Sequence, residues 1–206
     1  SVLISGPTGT GTTTLIGLFA QHACSEGRRV LFVSFEQSRQ ATIFALKSSS
    51  IKLQEWVDKD LLFFDTIMPE SVVAEMHLYR ILKQLDDFKP NHLIVDGISS
   101  TERMGTASSG FDFIVRLTDF CKNREITCML TTQEQTESLQ KSIGGMDISA
   151  LLDTLVVIKY EQVNGQRIRV LEVIKNRGRV NMDNYFHFQI TNEGINLKLL
   201  LVKSLI

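Results

Sequence analysis

Several things are scarce in this chain, and each scarcity excludes something. No Cys-x-x-Cys pair occurs among Cys24, Cys121 and Cys128, so neither a zinc site nor a disulfide framework is predicted. Buried free thiols in a reducing compartment are the expectation instead. No run of eighteen apolar residues occurs and no signal-peptide pattern opens the chain, so no membrane span is predicted and a cytoplasmic location is expected. Neither sign of charge dominates. Lys and Arg number 22 against 23 Asp and Glu, a net charge of -1, so nucleic acid is not the default partner. What remains is ordinary for a globular protein: 206 residues, 43% apolar and 22% charged, enough for one domain with a sizeable core. The chain opens directly on a strand, which reads as a single domain (1–206) cut from a longer protein.

Apolar runs and helical periodicities alternate along the first two thirds. Strands are predicted at 2–5, 30–35, 61–64, 92–96 and 127–132, and helices at 12–25, 37–48, 69–88 and 110–123. In the helix over 69–88, Val73, Met76, Tyr79, Ile81, Leu82 and Leu85 are expected on the apolar side. The near-continuous apolar strands belong in a parallel sheet covered on both faces. Residues 134–143 are polar and read as a loop. Strands then follow strands: 155–160 and 167–174 around a Val163-to-Gln166 turn, then apolar runs at 186–190 and 195–201. The apolar end, 199–206, is expected to pack as a strand. This order predicts an α/β fold, a mostly parallel sheet flanked by helices and extended by C-terminal antiparallel hairpins.

The first strand runs into Gly6, Pro7, Thr8, Gly9, Thr10, Gly11, Thr12 and Thr13, just ahead of a helix. The phosphate-binding P-loop has the form G-x-x-x-x-G-K-[ST] in the same setting. Its glycines turn backbone N–H groups inward into an anion nest, and the helix N-terminus adds its positive end. Gly6, Thr8, Gly9, Thr10, Gly11, Thr12, Thr13 and Thr14 are therefore the candidate nucleotide-binding residues, and the Thr13 hydroxyl stands where a Mg²⁺ ligand belongs. Lysine is missing: position 12 is threonine. A charge-assisted hydrogen bond contributes roughly 1.5–3 kcal/mol. Its loss should weaken nucleotide binding about ten- to a hundred-fold.

Two carboxylates follow strands. Asp96 ends the run Leu93, Ile94, Val95, the arrangement in which a carboxylate at the sheet edge holds Mg²⁺. Glu36 follows the 30–35 strand and could orient or deprotonate an attacking hydroxyl or water. Each also has a plainer reading, a turn-forming aspartate and a solvated loop glutamate.

Taken together, these residues resemble the KaiC circadian-clock ATPases of the RecA superfamily, and most closely their second, C-terminal repeat. Gly6 to Gly11 and Asp96 are shared by many ATPases. More specific are Phe35, Glu36 and Ser38; Lys175, Arg177 and Gly178; and Phe188, Ile190 and Thr191. The resemblance runs over nearly the whole chain. It implies a RecA-like P-loop NTPase fold and a hexameric ring with Mg-ATP between neighbouring subunits. It further implies Glu36 as a catalytic carboxylate, and Lys175 and Arg177 reaching the neighbour's γ-phosphate. Ser149 is implied as a phosphoacceptor, and clock or signalling proteins as partners. The chain departs from the family at Thr12, at Gln37 in place of a second glutamate, and at Ala150 in place of a threonine. Three readings follow: a slow ATPase with serine autokinase activity, a nucleotide-gated scaffold, and a DNA-acting recombinase-like ATPase. The near-zero net charge weighs against the third.

Overall fold

The computed structural model describes residues 1–133, 148–163, 165–178 and 184–200; for 107, 149 and 150 it describes the backbone alone. Nine strands form one sheet: β1 (Val2–Ser5), β2 (Val30–Ser34), β3 (Leu62–Thr66), β4 (His92–Asp96), β5 (Thr127–Thr132), β6 (Thr154–Val163), β7 (Gln166–Asn176), β8 (Tyr185–Thr191) and β9 (Gly194–Leu200). Their order is β3-β2-β4-β5-β1-β6-β7-β8-β9. The first six positions in that order are parallel, and β7 to β9 continue antiparallel. The parallel core with antiparallel C-terminal strands is as expected.

Side chains alternate across the parallel strands, so each strand feeds two cores. Leu3, Leu31, Val33, Leu93, Val95 and Leu130 face α4 (Ala74–Phe88) and α5 (Ala107–Asn123). Ile4, Phe32, Ile94 and Met129 face α1 (Thr12–Ser25), α2 (Arg39–Lys47) and α3 (Leu53–Asp58). Phe32 stacks on Phe64 at a centroid distance of 4.6 Å.

The helix predicted over 69–88 is shorter. Pro69–Ser71 forms a 3-10 turn, Val72 and Val73 are extended, and α4 begins at Ala74. Its buried stripe is Ala74, His77, Leu78, Ile81 and Leu85, while Val73, Met76 and Tyr79 are exposed. Small Ala74 and polar His77 disguised that stripe. His77 is tolerated in the interior because its Nε2 pairs with the Pro69 carbonyl at 3.0 Å. Helix α5 starts three residues earlier than predicted, capped by the Thr106 hydroxyl, which accepts from Ser109 N. The short α3 and a 3-10 segment at Ile98–Met104 carried too little periodicity to be read. Leu199 and Leu200 close β9, with Leu199 half exposed; 201–206, and the polar loop at 134–143, lie outside the described residues. Among the described residues no helix is long and apolar enough to cross a membrane.

Candidate nucleotide site

Parallel pairing brings the ends of four strands to one edge. Ser5 lies beside Thr132, and Ser34 beside Asp96. The segments that follow carry the P-loop, Glu36, Gly97 and Gln133. Ligands of open α/β sheets sit in the crevice outside these carboxyl ends.

The P-loop has the backbone its sequence requires. Gly9 and Gly11 adopt φ of 86° and 101°, which L side chains rarely do. A Cβ on Gly6 would lie 2.6 Å from the Ile158 carbonyl oxygen, so only glycine fits between the loop and β6. Thr10 is fully buried and its hydroxyl donates to the Pro7 carbonyl at 2.7 Å, bracing the loop from within. Helix α1 starts at Thr12 behind Gly11, with no side-chain cap and no acidic residue in its first turn. Its leading N–H groups, including those of Thr12, Thr13 and Thr14, find no partner inside the helix, and the end stays electropositive.

Thr13 Oγ1 donates to the Asp96 carboxylate, at 3.2 Å to Oδ2 and 3.4 Å to Oδ1. Thr131 Oγ1 donates to Asp96 Oδ1 at 2.6 Å and accepts from Gly97 N at 2.9 Å. Asp96 is almost wholly buried, and its pKa is raised to about 6, chiefly by that burial and further by the Glu36 charge; Thr131 and Thr13 pull the other way. Thr13 and Asp96 present hard oxygen donors side by side, a pair that fits Mg²⁺ beside phosphate rather than a thiolate- or imidazole-loving metal. Among the described residues no group of three His, Cys, Asp or Glu side chains could hold a metal by itself. Phosphate oxygens and water would complete the coordination, as is usual for this ion.

Glu36 lies over Gly97. A Cβ there would overlap Glu36 Cγ and stand 2.6 Å from Oε1. Gln133 Nε2 donates to Glu36 Oε2 at 2.7 Å, and Gln133 Oε1 accepts from Thr8 Oγ1 at 2.9 Å. Gly97→Ala should therefore destabilise the chain by about 1–3 kcal/mol, through both the clash and the φ of 91°. Part of that loss should return in the Glu36→Ala background. Urea unfolding of the two single variants and the double variant measures this, and strictly additive effects would contradict it.

On the other flank, Tyr160 OH donates to the Gly9 carbonyl at 2.7 Å. The Arg169 guanidinium reaches the same oxygen at 3.4 Å, and Arg167 stacks on the Tyr160 ring at 3.7 Å. Sequence reading missed Gln133, Thr131, Gly97, Tyr160 and Arg169. Gln133 alone carried a usable signal, because it follows a buried strand just as Glu36 does.

Lys175 and Arg177 lie elsewhere. Lys175 pairs with Leu155, and Arg177 N donates to the Asp153 carbonyl at 2.8 Å. Asp153 N in turn donates to the Ser1 carbonyl at 3.2 Å, at the opposite end of β1 from the P-loop. At about 3.3 Å per residue, Arg177 lies on the order of 15 Å from Gly6 along the strand direction. No Arg side chain closes that distance within one chain. Ser149 belongs to α6 (Ile148–Leu151), which leads into β6 at this same far edge; its side chain lies outside the described residues.

A family model described as the KaiC ATPase matches residues 1–200. The chain belongs to the KaiC ATPase family. The circadian clock protein KaiC2 of Synechocystis is 33% identical over 206 residues, covering 96% of this chain and 35% of the relative. The circadian clock oscillator protein KaiC of Synechococcus elongatus is 30% identical over 198 residues, covering 96% of this chain and 38% of the relative. This KaiC-family chain thus spans about a third of the length of these curated relatives. The RecA-like P-loop fold expected from the resemblance is the one observed.

Proposed function

We propose that this KaiC-family chain binds Mg-ATP at its P-loop edge and hydrolyses it slowly, at sites completed by the Lys175 and Arg177 edge of a second copy. The observation that carries this reading is the division of the candidate residues between opposite sheet edges. The P-loop, Thr13, Asp96 and Glu36 stand on one, and Lys175, Arg177 and α6 on the other. A head-to-tail contact would join the two halves, and repeated contacts of that kind close into a ring such as the hexamer the resemblance implies.

In this reading the P-loop N–H groups cradle the phosphates, and Thr13 and Asp96 hold the metal. Bound Mg²⁺ would neutralise phosphate charge. Glu36, exposed beyond β2, orients or deprotonates the attacking water. Lys175 and Arg177 of the neighbour stabilise charge on the transferring phosphoryl group. Arg169 supplies a cation in the same chain beside Gly9, partly offsetting the lysine absent at position 12. Ser149 lies on the edge that would face the neighbour's nucleotide, which supports it as a phosphoacceptor. The relatives are named circadian clock proteins, which supports clock or signalling proteins as partners.

A complementation experiment tests this. Glu36→Ala and Arg177→Ala chains, each inactive alone, should recover about a quarter of the parent phosphate release when mixed in equal amounts, because one interface in four pairs two intact halves. No recovery on mixing would exclude shared sites. The scaffold reading, favoured by Thr12 and Gln37, predicts ATP-dependent assembly without phosphate release.

A further inference from the structure

We infer that Gln133 is the positioning residue for Glu36, and that it couples the carboxylate to the P-loop through Thr8. This rests on the reading of the P-loop edge as the ATP site and of Glu36 as its water-orienting base. The bonds themselves stand without it.

Glu36 is an exposed side chain with three rotatable torsions, and burial does not choose among them. Below it Gly97 leaves room, which permits the observed placement but does not hold it. The hold on the carboxylate is the Gln133 amide, 2.7 Å from Oε2. The chemistry settles which way that amide points. A carboxylate only accepts, so the NH₂ end must face Glu36, and the carbonyl end is left for the Thr8 hydroxyl at 2.9 Å. A hydroxyl, an amide and a carboxylate thus form one directed relay from the third residue of the P-loop to the candidate base.

Backbone placement gives the relay its use. Thr8 lies in the loop that is to wrap the phosphates, and Gln133 is the first residue beyond β5, the strand paired with β1. Filling the loop fixes Thr8. A fixed Thr8 fixes the Gln133 amide, and the amide fixes Glu36. An empty loop leaves the whole relay to compete with water. Gln133 touches neither phosphate nor metal in this scheme, and acts only through Glu36.

The relay can be read without turnover. Glu36 is modified with a carbodiimide and an amine, and its rate of labelling is followed by mass spectrometry in the parent, Gln133→Met, Gln133→Glu and Thr8→Val chains. Each is run with and without Mg-ATP. Without nucleotide, Gln133→Met and Gln133→Glu should label about three- to tenfold faster than the parent, the population ratio one hydrogen bond of this kind sustains. The glutamate variant keeps an acceptor for Thr8 but has no donor for Glu36. Mg-ATP should slow labelling more strongly in the parent than in any of the three variants. In steady-state hydrolysis Gln133→Met should lower kcat and leave KM nearly unmoved. Equal labelling of parent and Gln133→Met would overturn the inference, as would an equal response to Mg-ATP in both. Calorimetry on the parent separates the two failures. If the parent binds no Mg-ATP, the nucleotide reading falls, and the nucleotide-free comparison still decides whether Gln133 holds Glu36.

Discussion

Thr12→Lys should tighten Mg-ATP binding by about ten- to a hundred-fold, the equivalent of one charge-assisted hydrogen bond of roughly 1.5–3 kcal/mol. The loop already has the backbone that the proposed phosphate site needs, with left-handed Gly9 and Gly11, a fully buried Thr10 brace and an uncapped helix start. It lacks a full positive charge where phosphate charge gathers. The Thr12 side chain is turned into the loop, because a Cβ built on Gly6 would stand 3.2 Å from Thr12 Cγ2. A lysine grown from the same Cβ starts across the loop, where the proposed site would hold phosphate. The substitution should also lower the stability of the nucleotide-free chain by about 0.3–1 kcal/mol, since a cation at a helix N-terminus opposes the macrodipole. Calorimetric titration with Mg-ATP measures the first effect, and urea unfolding without nucleotide measures the second. If affinity is unchanged while the stability cost appears, the lysine has reached the helix end but meets no phosphate, and the loop is not the binding site.

Asp96→Asn should stabilise the nucleotide-free chain at pH 8 by up to about 3 kcal/mol, and should abolish Mg²⁺-dependent binding. The Asp96 pKa is raised from 3.8 to about 6, mainly by burial. Between those values the folded state keeps a proton that the unfolded state has lost, so stability falls as pH rises through this window. Above about pH 6 the full cost of burying the charge remains. Below pH 4 both states are protonated and the cost is gone. Asparagine removes the charge and leaves a carbonyl for Thr131 to donate to, in place of the 2.6 Å bond the carboxylate accepts. Its advantage should therefore be large at pH 8 and small near pH 4. Mg²⁺ should raise the melting temperature of the parent at pH 8 and leave the variant unmoved. A variant less stable than the parent at pH 8 would mean that the carboxylate is held for structure rather than for a cation.

The site was legible where chemistry is written locally. Gly6, Gly9, Gly11 and Thr13 lie within one turn-and-helix segment, so their spacing alone announces a phosphate loop. Asp96 and Glu36 were legible because each follows an apolar strand, and parallel strands put such ends on one edge. Gln133 follows the same rule and was overlooked because an amide carries no charge to draw notice. Gly97 and Thr131 could not be read at all. Their meaning lies in contacts with Glu36 and Asp96, 61 and 35 residues away in sequence. The stripe of α4 was misread because burial there follows neighbours rather than hydropathy: His77 is inside and Tyr79 outside.

By itself, the sequence determined the alternating parallel core, the phosphate loop and its missing lysine, because periodicity and local backbone chemistry act over a few residues. Only the tertiary structure decided that Glu36 is tied through Gln133 to Thr8, that Asp96 is buried enough to resist ionisation, and that Lys175 and Arg177 stand at the far edge of the sheet. Those facts depend on strand order, which is set by how whole layers pack, and no window of sequence contains them.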